Sequence, residues 1–465
     1  MATDRQHPVR ILQFGEGNFL RAFIDWMVDR MRTGAGFDGS VALVKTIPGP
    51  FSPDFQRQDN AYTVVVRGRQ GAQVVEERSR IEVISSRFNP YEDFQGYLEA
   101  AADPDVRVII SNTTEAGIAL DLSDRDEDRP AASFPGKLTQ LLRARYLALG
   151  GGKASALLVM PCELIEKNGQ TLRQFVLAHA GRWYGDPGFE RWISEDCTFV
   201  DTLVDRIVSG HDPAARARLL EETGWDDALL VVAEPYHLLA IQGVEREDLL
   251  PLRRAGLNVV WTDDITPSRL LKVRILNGGH TFLAMVGTAL GVPLVRACLG
   301  HPVLKEALER LYAREIIPAL PMPESEGAAY AGTILDRFDN PFMEHKLEDI
   351  ALNSVSKWRS RLLPSAVDFA AKRGHAPALI AFSLAALIQR YCTVDALRND
   401  APVLAAFARV RAIADPAQVV RAVLEDAALW GGPLPAIPGF AEAVTKGFQE
   451  IRSRGMLAAL EGALA

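Results

Sequence analysis

At 465 residues the chain is long for a single hydrophobic core, so two domains are expected. A net charge of −8 with no block of like charges argues against nucleic acid as a partner, and 48% hydrophobic with 24% charged residues describes an ordinary soluble globular protein. The opening MATDRQHPVR is polar and no later segment is apolar enough to span a bilayer, so a cytoplasmic chain without membrane contact is expected.

In chain order, VRILQF at 9–14 reads as a buried strand. Residues 18–33 read as an amphipathic helix with Phe19, Phe23, Trp26 and Met27 on its apolar side, and 40–46 as a returning strand. Further strands are expected at 61–66, 106–111, 156–161, 229–234 and 257–262, with helices near 90–102, 135–149 and 169–184. This alternation predicts a parallel sheet up to about residue 265. Thr266 then suits a helix N-cap and Pro267 a first helical position, after which helices are expected at 268–290, 302–314, 344–361, 377–394, 402–412, 416–429 and 440–463. Pro-Gly-rich breaks are read at 291–293, 318–327, 362–366 and 431–439. The fold class is therefore an α/β N-terminal domain over 1–265 followed by an all-α domain over 266–465.

The four cysteines, Cys162, Cys197, Cys298 and Cys392, form no Cys-x-x-Cys pair, and reduced thiols are expected. The eight histidines include no His-Glu-x-x-His, so no metal is expected. Oligomeric state stays open.

Between the first strand and helix lies Phe14-Gly15-Glu16-Gly17-Asn18-Phe19-Leu20. Two glycines there allow a tight turn and close approach of a pyrophosphate to a helix N-terminus, although Leu20 stands where the usual fingerprint has a third glycine. The second strand ends Val44-Lys45-Thr46, with no acidic residue for an adenosine ribose, and Lys45 could tolerate a 2′-phosphate. NAD against NADP is open on this ground. The polar run Asn112-Thr113-Thr114-Glu115 follows another strand and suits either the nicotinamide side of a crevice or a capped loop.

The segment KVRILNGGH at 272–280 carries a lysine that can hold or release a proton, an asparagine that can donate to an oxyanion, and a histidine that can orient a hydroxyl. On an α-helix Lys272 and His280 lie roughly 80° apart, with Asn277 roughly 60° from His280, so one broad face presents all three. Adjacent Gly278 and Gly279 each cost about 1 kcal/mol in a helix, and so predict close approach of a ligand or another backbone.

ILQFGEGNFLRAF at 11–23, SNTTEAGI at 111–118, PCELIEKNG at 161–169, LVDRIV at 203–208, KVRILNGGH and RFDNPFMEH at 337–345 together resemble the mannitol dehydrogenase family of polyol-specific long-chain dehydrogenases. The resemblance implies a Rossmann-type NAD-binding domain and a helical substrate-binding domain, with Lys272 as acid and base, Asn277 at the oxyanion and His280 on the substrate. It also places Asp205 and Arg337 at the substrate; the residues alone allow Asp205 to pair with Arg206 and Arg337 to cap a helix.

Two departures from the polyol pattern stand out. A second oxyanion asparagine, expected after Cys-Asp, is replaced by Cys162-Glu163-Leu164, with Asn168 a candidate substitute; a glutamate three residues before the lysine is Arg269. Arg269 suits a substrate carboxylate, as do His345, Lys357, Arg359 and Arg361. Arg269 or Arg274, or burial, would make Lys272 less basic than a free amine. Together with these departures, the resemblance implies NADH-dependent reduction of a keto-hexuronate to its aldonate, tagaturonate to altronate. A mannitol, arabinitol or fructuronate oxidoreductase and a non-catalytic dinucleotide sensor remain as alternatives.

Overall fold

Val9–Phe14 (β1) carries a near-continuous apolar run, and Ile11, Leu12 and Phe14 are completely buried. Such a strand needs both faces covered, which helical crossovers on a parallel sheet provide. The computed structural model describes residues 7–71, 73–113, 116–210, 212–395, 397, 399–432, 434 and 436–465. The chain divides into two compact units, Met1–Arg67 with Val74–Ile265, and Gly68–Gln73 with Thr266–Ala465.

The strands after β1 are β2 (Ser40–Val44), β3 (Tyr62–Gln70), β4 (Gln73–Ile81), β5 (Ile84–Phe88), β6 (Val108–Ser111), β7 (Leu158–Pro161), β8 (Thr198–Phe199), β9 (Asp201–Asp205), β10 (Val208–Gly210), β11 (Val231–Ala233), β12 (Leu238–Gln242) and β13 (Val259–Thr262), all in the first unit except the ends of β3 and β4 that fall within Gly68–Gln73. The central sheet has the order β5-β2-β1-β6-β7-β8 and every pairing is parallel. Alternation decides which face each side chain covers. Ile11, Val41 and Leu43 pack with Phe23, Trp26 and Met27, whereas Leu12, Phe14, Ala42 and Val44 face Tyr97, Leu138 and Leu172 from helices Phe94–Ala102, Phe134–Leu149 and Asn168–Trp183. The chain winds outward from β1 to β2 and β5, then returns to β6. The strand order therefore switches beside Phe14 and Ser111, where the carboxyl ends of neighbouring strands open a crevice.

The strands expected at 61–66, 229–234 and 257–262 form, but outside the central sheet. β3 and β11 belong to a four-stranded sheet, β10-β11-β3-β4, and β13 pairs with β12 in a three-stranded one. The edge of the central sheet beside β2 is taken instead by β5, whose sequence ISSRF is only half-buried along most of its length.

In the second unit, Thr266–Leu270, a π-helical stretch Leu271–Asn277 and Gly278–Ala289 follow one another without a break. Ala378–Thr393 is buried along most of its length and packs against Phe440–Arg454, forming the centre of this core. Two expected breaks begin helices instead. Glu324–Phe338 starts inside 318–327, with Glu324 and Glu326 in its first turn, and Leu363–Arg373 starts inside 362–366. Pro364 lies in the first turn, where a missing N–H costs nothing. Conversely, the helix expected over 344–361 is interrupted: Leu347–Ile350 and Ser354–Arg361 are separated by a turn in which Asn353 has φ of 52°. Among the described residues no helix is long and apolar enough to cross a membrane, and Cys162, Cys197, Cys298 and Cys392 are unbridged.

Candidate active site

At the switch point, Gly15 has φ of +119°, and a Cβ there would stand 3.0 Å from the Asn112 carbonyl oxygen, so only glycine fits between β1 and β6. Gly17 is the N-cap of the helical turn Asn18–Leu20, and nothing lies within 4 Å of where its side chain would be. One glycine is thus demanded by packing, and the other leaves open space at a helix N-terminus, where N–H groups attract phosphate. Leu20, in place of a third glycine, is buried in the core. Asn18 is exposed and its amide oxygen accepts from Arg21; Phe19 is half-buried and stacks on Phe23, with ring centroids 5.0 Å apart. These residues fit a dinucleotide.

Lys45, which could have tolerated a 2′-phosphate, is already paired with an acid. Its ammonium forms an ion pair with the Glu16 carboxylate on the glycine turn and lies 5.3 Å from the Phe51 ring. The pairing arises because Phe14 and Val44 are in register, so the turn after β1 and the end of β2 meet.

After β6, the Asn112 amide donates to the Cys162 carbonyl at 2.7 Å, while the Thr113 N–H and hydroxyl both donate to Glu163 Oε1 at 2.9 Å. The Ser111 hydroxyl donates to the other Glu163 oxygen at 3.0 Å. Glu163 therefore ties the ends of β6 and β7 together. Burial raises its pKa, with these hydrogen bonds opposing. Thr114 and Glu115 lie outside the described residues.

Asn168 does not replace the missing asparagine. It is completely buried, its amide nitrogen is within 3.3 Å of the Pro161, Glu163 and Thr202 carbonyls and of the Thr202 hydroxyl, and its oxygen accepts from Gly169 and Thr202 N–H. An amide so committed has nothing to offer a substrate. Leu164, by contrast, is 58% exposed. Asp205 ends β9 and is buried. Its neighbour Arg206 donates to the Ala22 and Glu234 carbonyls and lies 4.2 Å from the Trp26 ring centroid; burial pushes its pKa down to about 10.

In the second unit, Lys272 and Asn277 are half-buried on the π-helical stretch and His280 is buried in the helix that follows. A π turn bonds residue i to i+5, so the angles of a straight α-helix do not apply to this trio. The expected role of Gly279 is corrected as well. A Cβ on Gly279 would collide with the Tyr312 hydroxyl, so a side chain of the protein itself demands that glycine, whereas one on Gly278 would stand 3.3 Å from Leu362 and 3.8 Å from the backbone carbonyl of Arg361. Arg274 donates to Ser365 at 3.1 Å and Asp368 at 3.0 Å, which commits its charge there. Arg269 is half-buried in the last turn of Thr266–Leu270, and Arg337 is buried in the last turn of Glu324–Phe338.

The His280 ring stacks on Phe338, with centroids 4.3 Å apart, and meets the edge of His345 at 4.7 Å. Burial first, then His345, Arg361, Arg337 and Lys357, hold its pKa well below the usual imidazole range, so it is neutral. Its Nε2 is buried and has no hydrogen-bond partner among the described residues. The Arg361 Nη1 donates to Thr281 Oγ1 at 3.3 Å, and the Thr281 hydroxyl donates to the Asn277 carbonyl at 2.9 Å. Of the basic candidates from the sequence reading, His345 meets the His280 ring, Arg361 reaches the adjoining Thr281, and Lys357 acts on His280 through its charge. Arg359 lies elsewhere, its guanidinium 2.7 Å from the position of a Cβ on Gly431. The Glu16–Lys45 pair and the role of Glu163 were missed; the position of Glu163 at the end of a strand adjoining β6 was the available signal.

The family model described as the mannitol dehydrogenase Rossmann domain matches residues 9–251, and that of the mannitol dehydrogenase C-terminal domain matches 264–452. The chain is 40% identical to the altronate oxidoreductase of Halalkalibacterium halodurans, over 99% of this chain and 94% of that one, and 40% identical to the altronate oxidoreductase of Bacillus subtilis, over 98% and 95%. Its fold is similar to that of a substrate-free D-sorbitol dehydrogenase (TM-score 0.85, 24% identity, 98% and 95% covered). It is also similar to that of the Pseudomonas fluorescens mannitol 2-dehydrogenase solved with NAD and D-mannitol (TM-score 0.75, 24% identity, 100% and 95% covered). With both halves matched in order, the chain belongs to the mannitol dehydrogenase family.

Proposed function

We propose that the chain is an NAD-dependent oxidoreductase that interconverts a keto-hexuronate and its aldonate, the reaction being D-tagaturonate + NADH + H⁺ to D-altronate + NAD⁺. The observation that carries this reading is its likeness, over nearly its whole length, to relatives named altronate oxidoreductase. Residues 1–265 are assigned to the dinucleotide and 266–465 to the substrate. The proposed location is the cytoplasm, which suits four unbridged cysteines.

The dinucleotide would be held by the turn Phe14 to Phe19, with the N–H groups beside Gly17 on the pyrophosphate, and Asn112 and Thr113 lining the same crevice. When bound, its nicotinamide supplies or accepts the hydride. Lys272 gives a proton to the carbonyl oxygen during reduction and takes it back during oxidation, and Asn277 donates to that oxygen as negative charge builds. His280, neutral and with an unpartnered Nε2, holds a substrate hydroxyl in place. Asp205, Arg269, Arg337 and His345 complete the proposed substrate contacts.

The test is to follow NADH absorbance with a panel of keto-hexuronates and neutral ketoses. The expected result is turnover of tagaturonate in preference to fructuronate and fructose. Preference for a neutral ketose would make the chain a polyol dehydrogenase; dinucleotide binding without turnover of any substrate would make it a sensor.

A further inference from the structure

Helix Ser354–Arg361 carries Lys357 and Arg361 at i and i+4, side by side on one face and both half-buried. Like charges at this spacing oppose each other, so packing alone gives no reason to place them together. The third cation of the helix, Arg359, is set against Gly431. Lys357 donates to the Ile350 carbonyl at 2.9 Å, which anchors its ammonium between two short helices.

Arg361 is tied to the proposed catalytic helix. Its guanidinium reaches Thr281, whose hydroxyl in turn donates to the Asn277 carbonyl. The neighbouring residue His280 has a buried Nε2 with no partner, and His345 borders the same ring. The charges acting on His280 are all basic: His345, Arg361, Arg337 and Lys357. Asp349 acts on His345, raising its pKa against burial. Burial, and then Arg361, make Lys357 less basic than a solvated amine. A cluster of basic groups with this field suits a small anion that brings its own negative charge.

We propose that Lys357 and Arg361, flanked by His345, form the subsite that takes the substrate's carboxylate, and so set the preference for a hexuronate over a neutral sugar. The assignment rests on the hexuronate reading above. Arg361 supplies planar paired donors and Lys357 a point charge, a combination that fixes both the position and the orientation of a carboxylate. With the acid group held there, the chain of hydroxyls leads back past His280 towards Asn277.

The experiment compares kcat/KM for tagaturonate with kcat/KM for the neutral ketohexose tagatose, in the wild type and in Lys357→Gln and Arg361→Gln. Each substitution is expected to lower the ratio about 10- to 100-fold, mainly through KM for the uronate, the range for losing one charge-assisted hydrogen bond. Arg361→Lys is expected to recover part of the loss. A ratio that stays within about twofold in folded variants, or equal losses on both substrates, overturns the subsite, since a merely structural role would lower both together. Should either variant fail to fold, the wild type decides: added salt is expected to lower kcat/KM for the uronate more than for tagatose, and D-altronate to inhibit more strongly than the neutral alditol. Equal salt responses and equal inhibition would overturn the assignment. If the wild type reduces tagatose but no keto-hexuronate, the functional reading falls and the subsite with it; if it reduces the uronate and the ratio does not move, the subsite alone falls.

Discussion

The Lys45 ammonium at the end of β2 is ion-paired with the Glu16 carboxylate on the glycine turn, and Lys45 is only 6% exposed. A cation where a dinucleotide-binding fold meets the adenosine ribose would ordinarily attract a 2′-phosphate. Here an acid from the neighbouring turn already neutralises it and itself repels added phosphate.

Glu16→Gln is therefore expected to raise the kcat/KM ratio of NADPH over NADH by about 10-fold, by releasing Lys45 to a phosphate and removing the repelling charge. Steady-state kinetics with both dinucleotides checks this. An unchanged ratio would mean that Lys45 does not face the ribose.

Lys272→Ala is expected to lower kcat by about 1000-fold or more while leaving the Kd for NADH within about threefold, because the proposed proton donor acts in the chemical step and not in holding the dinucleotide. Single-turnover absorbance and NADH fluorescence titration separate the two quantities. Substantial residual turnover would move the proton transfer to another group.

The elements legible in the sequence were those whose burial was two-sided or strongly periodic. β1 and the helical run after it declared themselves through VRILQF and the spaced aromatics, and the glycine turn followed from their junction. β5 did not, because ISSRF is a half-buried edge strand with no alternation to read. Glu324–Phe338 was hidden behind prolines and glycine that read as a break, although Pro323 sits at the N-cap. The spacing of Lys272, Asn277 and His280 was visible, whereas their relative angles were not, since nothing local announces a π turn. Among the basic residues, helical spacing on Ser354–Arg361 puts Lys357 and Arg361 on one face at i and i+4 and turns Arg359 away, towards Gly431, and the sequence reading did not use that spacing to sort them.

Gly279 offers a packing test. An added methyl would collide with the Tyr312 hydroxyl, which is itself buried and without a partner. Gly279→Ala is expected to destabilise the protein by about 1–3 kcal/mol, the range for overpacking. Tyr312→Phe alone is expected to be close to neutral, since it removes an unsatisfied hydroxyl. Combined, the two should be less destabilising than their sum, because the nearest atom, the hydroxyl oxygen, is gone and the Tyr312 Cζ at 2.8 Å is the closest that remains. Urea unfolding of all four proteins closes the cycle. Additive losses would show that the collision is relieved elsewhere.

Asp25 gives the pH dependence. Its carboxyl is completely buried, accepts from the Tyr62 hydroxyl at 2.8 Å, and has a second oxygen without a partner. Burial raises its pKa from 3.8 to about 7, with Tyr62 and Arg21 opposing only in part. The folded chain thus keeps this proton up to about pH 7, whereas the unfolded chain releases it near 4. Between those values the folded state binds more protons, so stability falls as pH rises, by up to about 4 kcal/mol from this group, with no further loss above the folded pKa. Asp25→Asn retains an acceptor for Tyr62 and has no charge to desolvate. Relative to the wild type, it is expected to gain stability as pH rises from 4 to 8, and urea midpoints taken across that range measure the gain. A difference between the two proteins that does not change with pH would mean that Asp25 stays ionised in the fold, held by Arg21 instead of by its proton.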